Sequence, residues 1–186
     1  MKKHGSAADL YASMATAEVP CALGGGSQLA VLARVDRYRM GLQTCQCETC
    51  GLAMTNPMPT EEALHEFYTN RYRLFYRKFE HPSPQLMEGL GIAKRTRYAA
   101  KFLQAEGVLS KGAKILDVGC ADGSLLRATR ELESTVKIFG VEPNLAYSEY
   151  ALRNGVDRIW AALGDVPAEE TFDVVIVNHV LEHVRD

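Results

Sequence analysis

The stretch Ala113-Lys-Ile-Leu-Asp-Val-Gly-Cys-Ala-Asp-Gly-Ser-Leu-Leu126 constrains the fold more than any other part of the chain. An apolar strand runs into Asp117, then into a turn marked by Gly119 and Gly123, and a helical pattern follows at once. A second apolar strand, Val136–Val141, ends in another acid, Glu142. Strand, tight glycine turn, helix and strand make a βαβ unit, which brings its two strands together as parallel neighbours. The alternation continues: strands are predicted at 114–118, 136–141, 158–160 and 172–178, and helices at 124–132 and 145–154. Such alternation predicts an α/β fold with a Rossmann-like parallel sheet.

The turn is where ligand chemistry is expected. Gly119 and Gly123 allow sharp turning and close approach, and free N–H groups at the helix start can meet a polar group. A dinucleotide fold would have G-x-G-x-x-G, with a pyrophosphate on the helix N-terminus. Here the spacing is G-x-A-x-G, and Asp122 in the turn would repel a pyrophosphate. Glu142, at the next strand end, can accept hydrogen bonds from both hydroxyls of a ribose. These details favour S-adenosylmethionine over NAD.

Ile115–Gly123 resembles motif I of the class I S-adenosylmethionine-dependent methyltransferases, and Gly140-Val-Glu142-Pro143 resembles their acidic second motif. Phe172–Asp186 is similar to the family's fourth-strand motif with its Leu-Glu-His continuation. The resemblance covers about residues 86–186. It implies that Asp117, Gly119, Cys120, Ala121 and Gly123 border the methionine and ribose parts of the cofactor. It implies that Glu142, with Pro143, binds the ribose, that residues 162–165 border the adenine, and that Asn178 sits beside the methyl donor. It also implies that the first and fourth strands lie side by side. Ala121 departs from the family, where many members carry glycine. The chain stops soon after the fourth strand, which reads as a truncated product, an incomplete 111–186 cofactor domain.

The first part of the chain reads differently. Residues 1–18 are small and polar, a flexible tail. Residues 19–58 form a glycine- and cysteine-containing module with Cys47-x-x-Cys50-Gly51, the shape of a zinc knuckle. Cys45 and Cys21 are the remaining candidate ligands, although Gly24 stands where a partner for Cys21 would fall. A metal-free knuckle is the alternative. The module resembles the N-terminal zinc-binding region ahead of some bacterial methyltransferases, some of which act on nucleotide sugars. Residues 59–110 read as a helical linker or lid. Thr60 is expected to cap a helix with Glu61 and Glu62 in its first turn. Leu86, Leu90, Ala93, Tyr98, Phe102 and Leu103 are expected to form a buried stripe.

A net charge of -2, from 21 basic and 23 acidic residues, gives no global attraction to nucleic acid or to anionic membrane. No apolar run reaches a bilayer-spanning length. Asp9 and Glu18 interrupt any signal-peptide core, and cysteines spaced for metal rather than for a disulfide framework suit a cytoplasmic protein. Cys120 is expected to pack beneath the cofactor turn.

Methyl transfer to a hydroxyl or acidic C–H needs a base, and His179 is the candidate. A helix after Asn178 would put His179, Glu182 and His183 on one face. His183 is expected to cap or pack. His179-Val-Leu-Glu-His183 also matches the H-x-x-E-H of inverted zinc proteases, a match that leaves the upstream turn unexplained. Arg71, Arg73, Arg77 and Lys78 interleave with Tyr72, Phe75, Tyr76 and Phe79. They read as a solvated helix face with buried aromatics, a lid over the cofactor, or a base-stacking patch. The functional expectation is methyl transfer to a small molecule, a sugar nucleotide first. RNA methylation and a cofactor-binding fragment without turnover are the alternatives.

Overall fold

A computed structural model of the chain describes residues 13–36, 41–73, 81–89 and 91–183. Arg77 and Lys78 of the basic–aromatic run, with Phe75, Tyr76 and Phe79, lie outside these residues. So do Leu90 and residues 184–186. The chain divides into two compact units between Phe67 and Tyr68.

The first unit is built from short antiparallel strands. β1 (Thr16–Ala17) pairs with β5 (Met58–Pro59), Thr16 opposite Pro59. β2 (Leu29–Ala33), β3 (Thr44–Cys47) and β4 (Ala53–Thr55) form a three-stranded sheet in that order. The β2–β3 register shifts between Val31 and Ala33. Helix α1 (Glu61–Glu66) begins as the sequence predicts: the Thr60 hydroxyl accepts the Ala63 N–H at 3.3 Å, with Glu61 and Glu62 in the first turn. A π-helical turn, Phe67–Arg71, follows it.

The second unit is α/β. After α2 (Pro84–Gly89) and α3 (Ile92–Ala105), β6 (Lys114–Val118), α4 (Ser124–Leu132), β7 (Lys137–Val141), α5 (Leu145–Arg153), β8 (Arg158–Trp160) and β9 (Val174–Ile176) alternate. The sheet order is β8-β7-β6-β9, every pair parallel. The chain therefore moves one way from β6 to β8 and returns to the other side of β6, so the topological switch point lies between β6 and β9. This is the Rossmann-like arrangement expected from the sequence.

Strand alternation splits the core in two. Ile115 and Ile138, both fully buried, point to one face and pack with Leu126, Ala151 and Val156. Leu116, Val141 and Trp160 point to the other, where Phe139, Trp160 and Phe172 form an aromatic group with centroids 5.5–6.3 Å apart. Truncating Ile115 to alanine removes contacts on all sides and costs about 2–5 kcal/mol.

The predicted stripe on α3 is only partly right. Ala100 is its buried residue, facing Leu125 and Ala128 of α4. Tyr98 and Phe102 are 79% and 58% exposed. Each lies two residues from Ala100, roughly 160° around the helix, on the opposite side. The contact is made by Ala100 with Leu125 and Ala128, whereas hydropathy alone points to the aromatics.

Candidate functional site

The site in the second unit is assembled at the carboxyl ends of β6 and β7. Gly119 and Gly123 both have left-handed backbones, with φ of +75° and +72°. Neither has room for a side chain. A Cβ on Gly119 would lie 2.7 Å from Val180 Cγ2, and one on Gly123 the same distance from Val156 Cγ2. Ala121 is left-handed too, at φ +50°, where the family's glycine would carry no strain. The turn is tied to the neighbouring strand, since the Gly119 and Cys120 N–H groups both donate to the Val141 carbonyl, at 2.8 and 3.0 Å. Cys120 packs under the turn against Gly140, as expected, and burial raises its thiol pKa far above the usual range, chiefly by desolvation.

Three buried carboxylates converge here: Asp117, Asp122 and Glu142, each 4–5% exposed. Burial, and then the charges of Glu142 and Asp122, push the Asp117 carboxyl up to about 7. Asp122 is held by the Ser124 hydroxyl and by Arg127, 3.5 Å away. Glu142 accepts three hydrogen bonds. Its Oε2 accepts the Ala121 N–H and an Arg73 Nη2–H, each at 3.0 Å, and its Oε1 accepts the Asn144 N–H at 3.0 Å.

Arg73 departs from the reading of its run as a solvated face, while Arg71 is exposed as that reading expects. Its side chain is 14% exposed, lies on the Glu142 carboxylate, and stacks over the Tyr147 ring at 4.2 Å. Asn144 was also missed. Its side-chain oxygen caps α5 by accepting the Tyr147 N–H, and its amide donates to the Thr69 carbonyl at 2.8 Å. Local patterning could not reveal these partners, because 69 residues separate Arg73 from Glu142.

Beyond β9, the described residues 178–183 do not form the predicted helix. Residues 181–183 form a single 3-10 turn, and Asn178 and His179 are exposed. His179 is left-handed, at φ +56°, which breaks the helical path. The turn brings His179 Nδ1 to 3.5 Å from Glu182 Oε1. The His183 ring packs edge-on against Tyr68. Pro143 turns the chain from β7 towards the Asn144 cap, and residues 163–165 form a short 3-10 turn after β8.

In the first unit, Cys21, Cys47 and Cys50 place their sulfurs within 4.8 Å of one another. Cys21 Sγ and Cys50 Sγ are 3.4 Å apart. Two thiolates on a tetrahedral zinc lie about 3.8 Å apart, so the spacing suits such an ion. Gly25 closes over the sulfurs: a Cβ there would lie 2.4 Å from Cys47 Sγ. The Cys50 backbone N–H, more than any other group, holds the Cys47 thiol pKa down at about 7. Cys45 is not in the cluster. It shares a strand face with Cys47 but lies two residues, about 7 Å, along β3. Its sulfur contacts the Asn56 carbonyl and the Gln43 amide instead. No helix among the described residues is long and apolar enough to cross a membrane.

Comparisons with known proteins bear on the second unit. Among solved structures, the chain is similar to magnesium protoporphyrin IX methyltransferase from Synechocystis PCC 6803 with bound SAM, at 19% identity, 62% of this chain, 59% of that one and a TM-score of 0.43. It is also similar to coclaurine N-methyltransferase bound to N-methylheliamine and SAH, at 21% identity, 44% and 26% coverage and a TM-score of 0.36. A third similarity is to the plantazolicin methyltransferase BpumL with a triazolic desmethylPZN analog and SAH, at 14% identity, 62% and 47% coverage and a TM-score of 0.41. The chain spans about 59% of the length of the first of these. A search of curated proteins finds no match. Residues 92–186, just over half of the chain, match a family model described as a methyltransferase domain. The protein therefore belongs to the methyltransferase-domain family.

Proposed function

We propose that this protein binds S-adenosylmethionine at the β6–β7 strand ends and transfers its methyl group to a small-molecule acceptor, a sugar nucleotide being the first to test. The observation that carries the reading is the buried Glu142 carboxylate beside the glycine turn, with Asp117 and Asp122 close by. A carboxylate at that strand end is a two-oxygen acceptor for a ribose diol. Three acidic groups favour a cationic sulfonium and disfavour the pyrophosphate of a dinucleotide.

In this reading Asp117, Gly119, Cys120, Ala121 and Gly123 line the methionine and ribose positions. Glu142 and Pro143 hold the ribose, and Asn178 flanks the methyl donor. S-adenosylmethionine supplies a methyl group activated by its sulfonium, with the sulfur leaving as a neutral thioether, so the chain's contribution is chiefly orientation. His179, exposed and 3.5 Å from the Glu182 carboxylate through Nδ1, is the proposed base that takes the acceptor's proton.

The 19–58 module is proposed to hold a structural zinc through Cys21, Cys47 and Cys50. The earlier four-cysteine set loses Cys45, so the fourth coordination position falls to another donor.

Calorimetric titration of the native chain and Glu142→Ala with S-adenosylmethionine and with NAD tests the central point. The expected result is saturation by the first ligand alone, lost in the variant. Binding of NAD, or equal binding of S-adenosylmethionine by Glu142→Ala, would rule the reading out.

A further inference from the structure

We infer that Arg73 is a two-position latch on this site: its guanidinium now occupies the Glu142 carboxylate, and it moves towards Glu149 when a ribose diol takes its place. The inference rests on the proposed cofactor reading.

The count of acceptor positions is the starting point. Each carboxylate oxygen offers two lone pairs. Glu142 Oε2 already accepts two N–H groups, from Ala121 and Arg73, and Oε1 accepts one, from Asn144. One position remains, and a diol donating both hydroxyls needs two. The Ala121 and Asn144 donors are backbone groups fixed in the β6 turn and in the α5 cap. Arg73 is the only one of the three donors carried by a rotatable side chain, so it is the one that yields.

The structure also gives it somewhere to go. Arg73 lines a cavity of about 510 Å³ with Thr69, Asn144, Glu149 and Arg153. Glu149 is half-exposed and held only loosely, 3.9 Å from the exposed Arg153, so its carboxylate can accept a second guanidinium. The present position is imperfect as well. Arg73 Nε and Thr69 Oγ1 are buried without hydrogen-bond partners among the described residues. Unmet buried donors weaken the closed arrangement and bring the two positions nearer in free energy. The backbone need not travel, because the Asn144 amide holds the Thr69 carbonyl to the start of α5.

The test is the affinity of the full chain for S-adenosylmethionine and for S-adenosylhomocysteine, whose sulfur is neutral. It compares wild type, Arg73→Gln, Glu149→Gln and the double variant by calorimetry. The latch predicts that R73Q tightens both ligands by roughly tenfold. E149Q should weaken both by about threefold, on the scale of an exposed ion pair. The double variant should match R73Q, since Glu149 matters only through Arg73. A gain confined to S-adenosylmethionine would mean a through-space charge effect and overturns the latch. So does R73Q binding no tighter than wild type, with wild type still saturable. If wild type binds neither ligand, the cofactor site itself is wrong and the latch goes with it. Should R73Q fail to fold, E149Q decides alone: weaker binding supports the latch and unchanged binding overturns it.

Discussion

The two units are held together by different means. Among the described residues of the first unit, the buried ones are Cys21, Cys45, Cys47 and Pro59. Its strands are two to five residues long, and three of its sulfurs converge. The second unit instead buries Ile115, Leu126, Ile138 and Ala151 completely, in a continuous layer between sheet and helices. On the proposed zinc reading, a region this poor in apolar burial relies on its metal for its fold, whereas the α/β unit has an apolar core of its own. The contrast teaches where each kind of perturbation should act.

Metal removal should give the largest effect. Chelation is expected to unfold the first unit outright, on the scale of ~10 kcal/mol for structural zinc, while amide exchange in β6 and β7 stays protected. Cys47→Ser should do the same. A native protein with no zinc, or with exchange in the first unit unaltered by chelator, would erase the contrast.

The reverse experiment comes next. Leu126→Ala should cost the second unit about 2–5 kcal/mol in denaturant unfolding and leave metal content unchanged. A smaller loss would mean that the site relaxes around the gap.

Cys45→Ala sharpens the assignment within the first unit. Its sulfur touches Asn56 and Gln43 rather than the triad, so zinc stoichiometry should stay constant and stability should fall by only about 1 kcal/mol. Loss of metal would return Cys45 to the ligand set.

The smallest effect is a pH dependence. The folded-state pKa of Asp117 is raised to about 7, above the ordinary carboxylate value near 3.9. Its contribution is therefore fully present below about pH 4 and is lost as pH rises through about 7. Asp117→Asn should remove that loss, so its stability relative to wild type rises between pH 4 and 8. A parallel pair of curves would show that Asp117 ionises normally.

The same contrast governs what the sequence made legible. The βαβ unit was readable because its signals are local: Asp117, Gly119 and Gly123 fall within seven residues, and strand and helix periods flank them. Glu142 at the next strand end was readable for the same reason. The pairing of Glu142 with Arg73 was not, because it joins residues brought together only by the fold. Cys45 misled because spacing along a strand does not state how far apart two sulfurs end up. Tyr98 and Phe102 misled because hydrophobicity marks what can be buried, while the contact with Leu125 and Ala128 is made by Ala100. Among the described residues, the helix expected directly after Asn178 is interrupted by the left-handed His179.

What Glu142 holds when a nucleoside is present decides the proposed function. A crystal structure with S-adenosylhomocysteine bound tests this most directly. Both ribose hydroxyls should lie within hydrogen-bond reach of the Glu142 carboxylate, with Arg73 withdrawn from Oε2. A nucleoside bound elsewhere while Arg73 still grips Glu142 would contradict it.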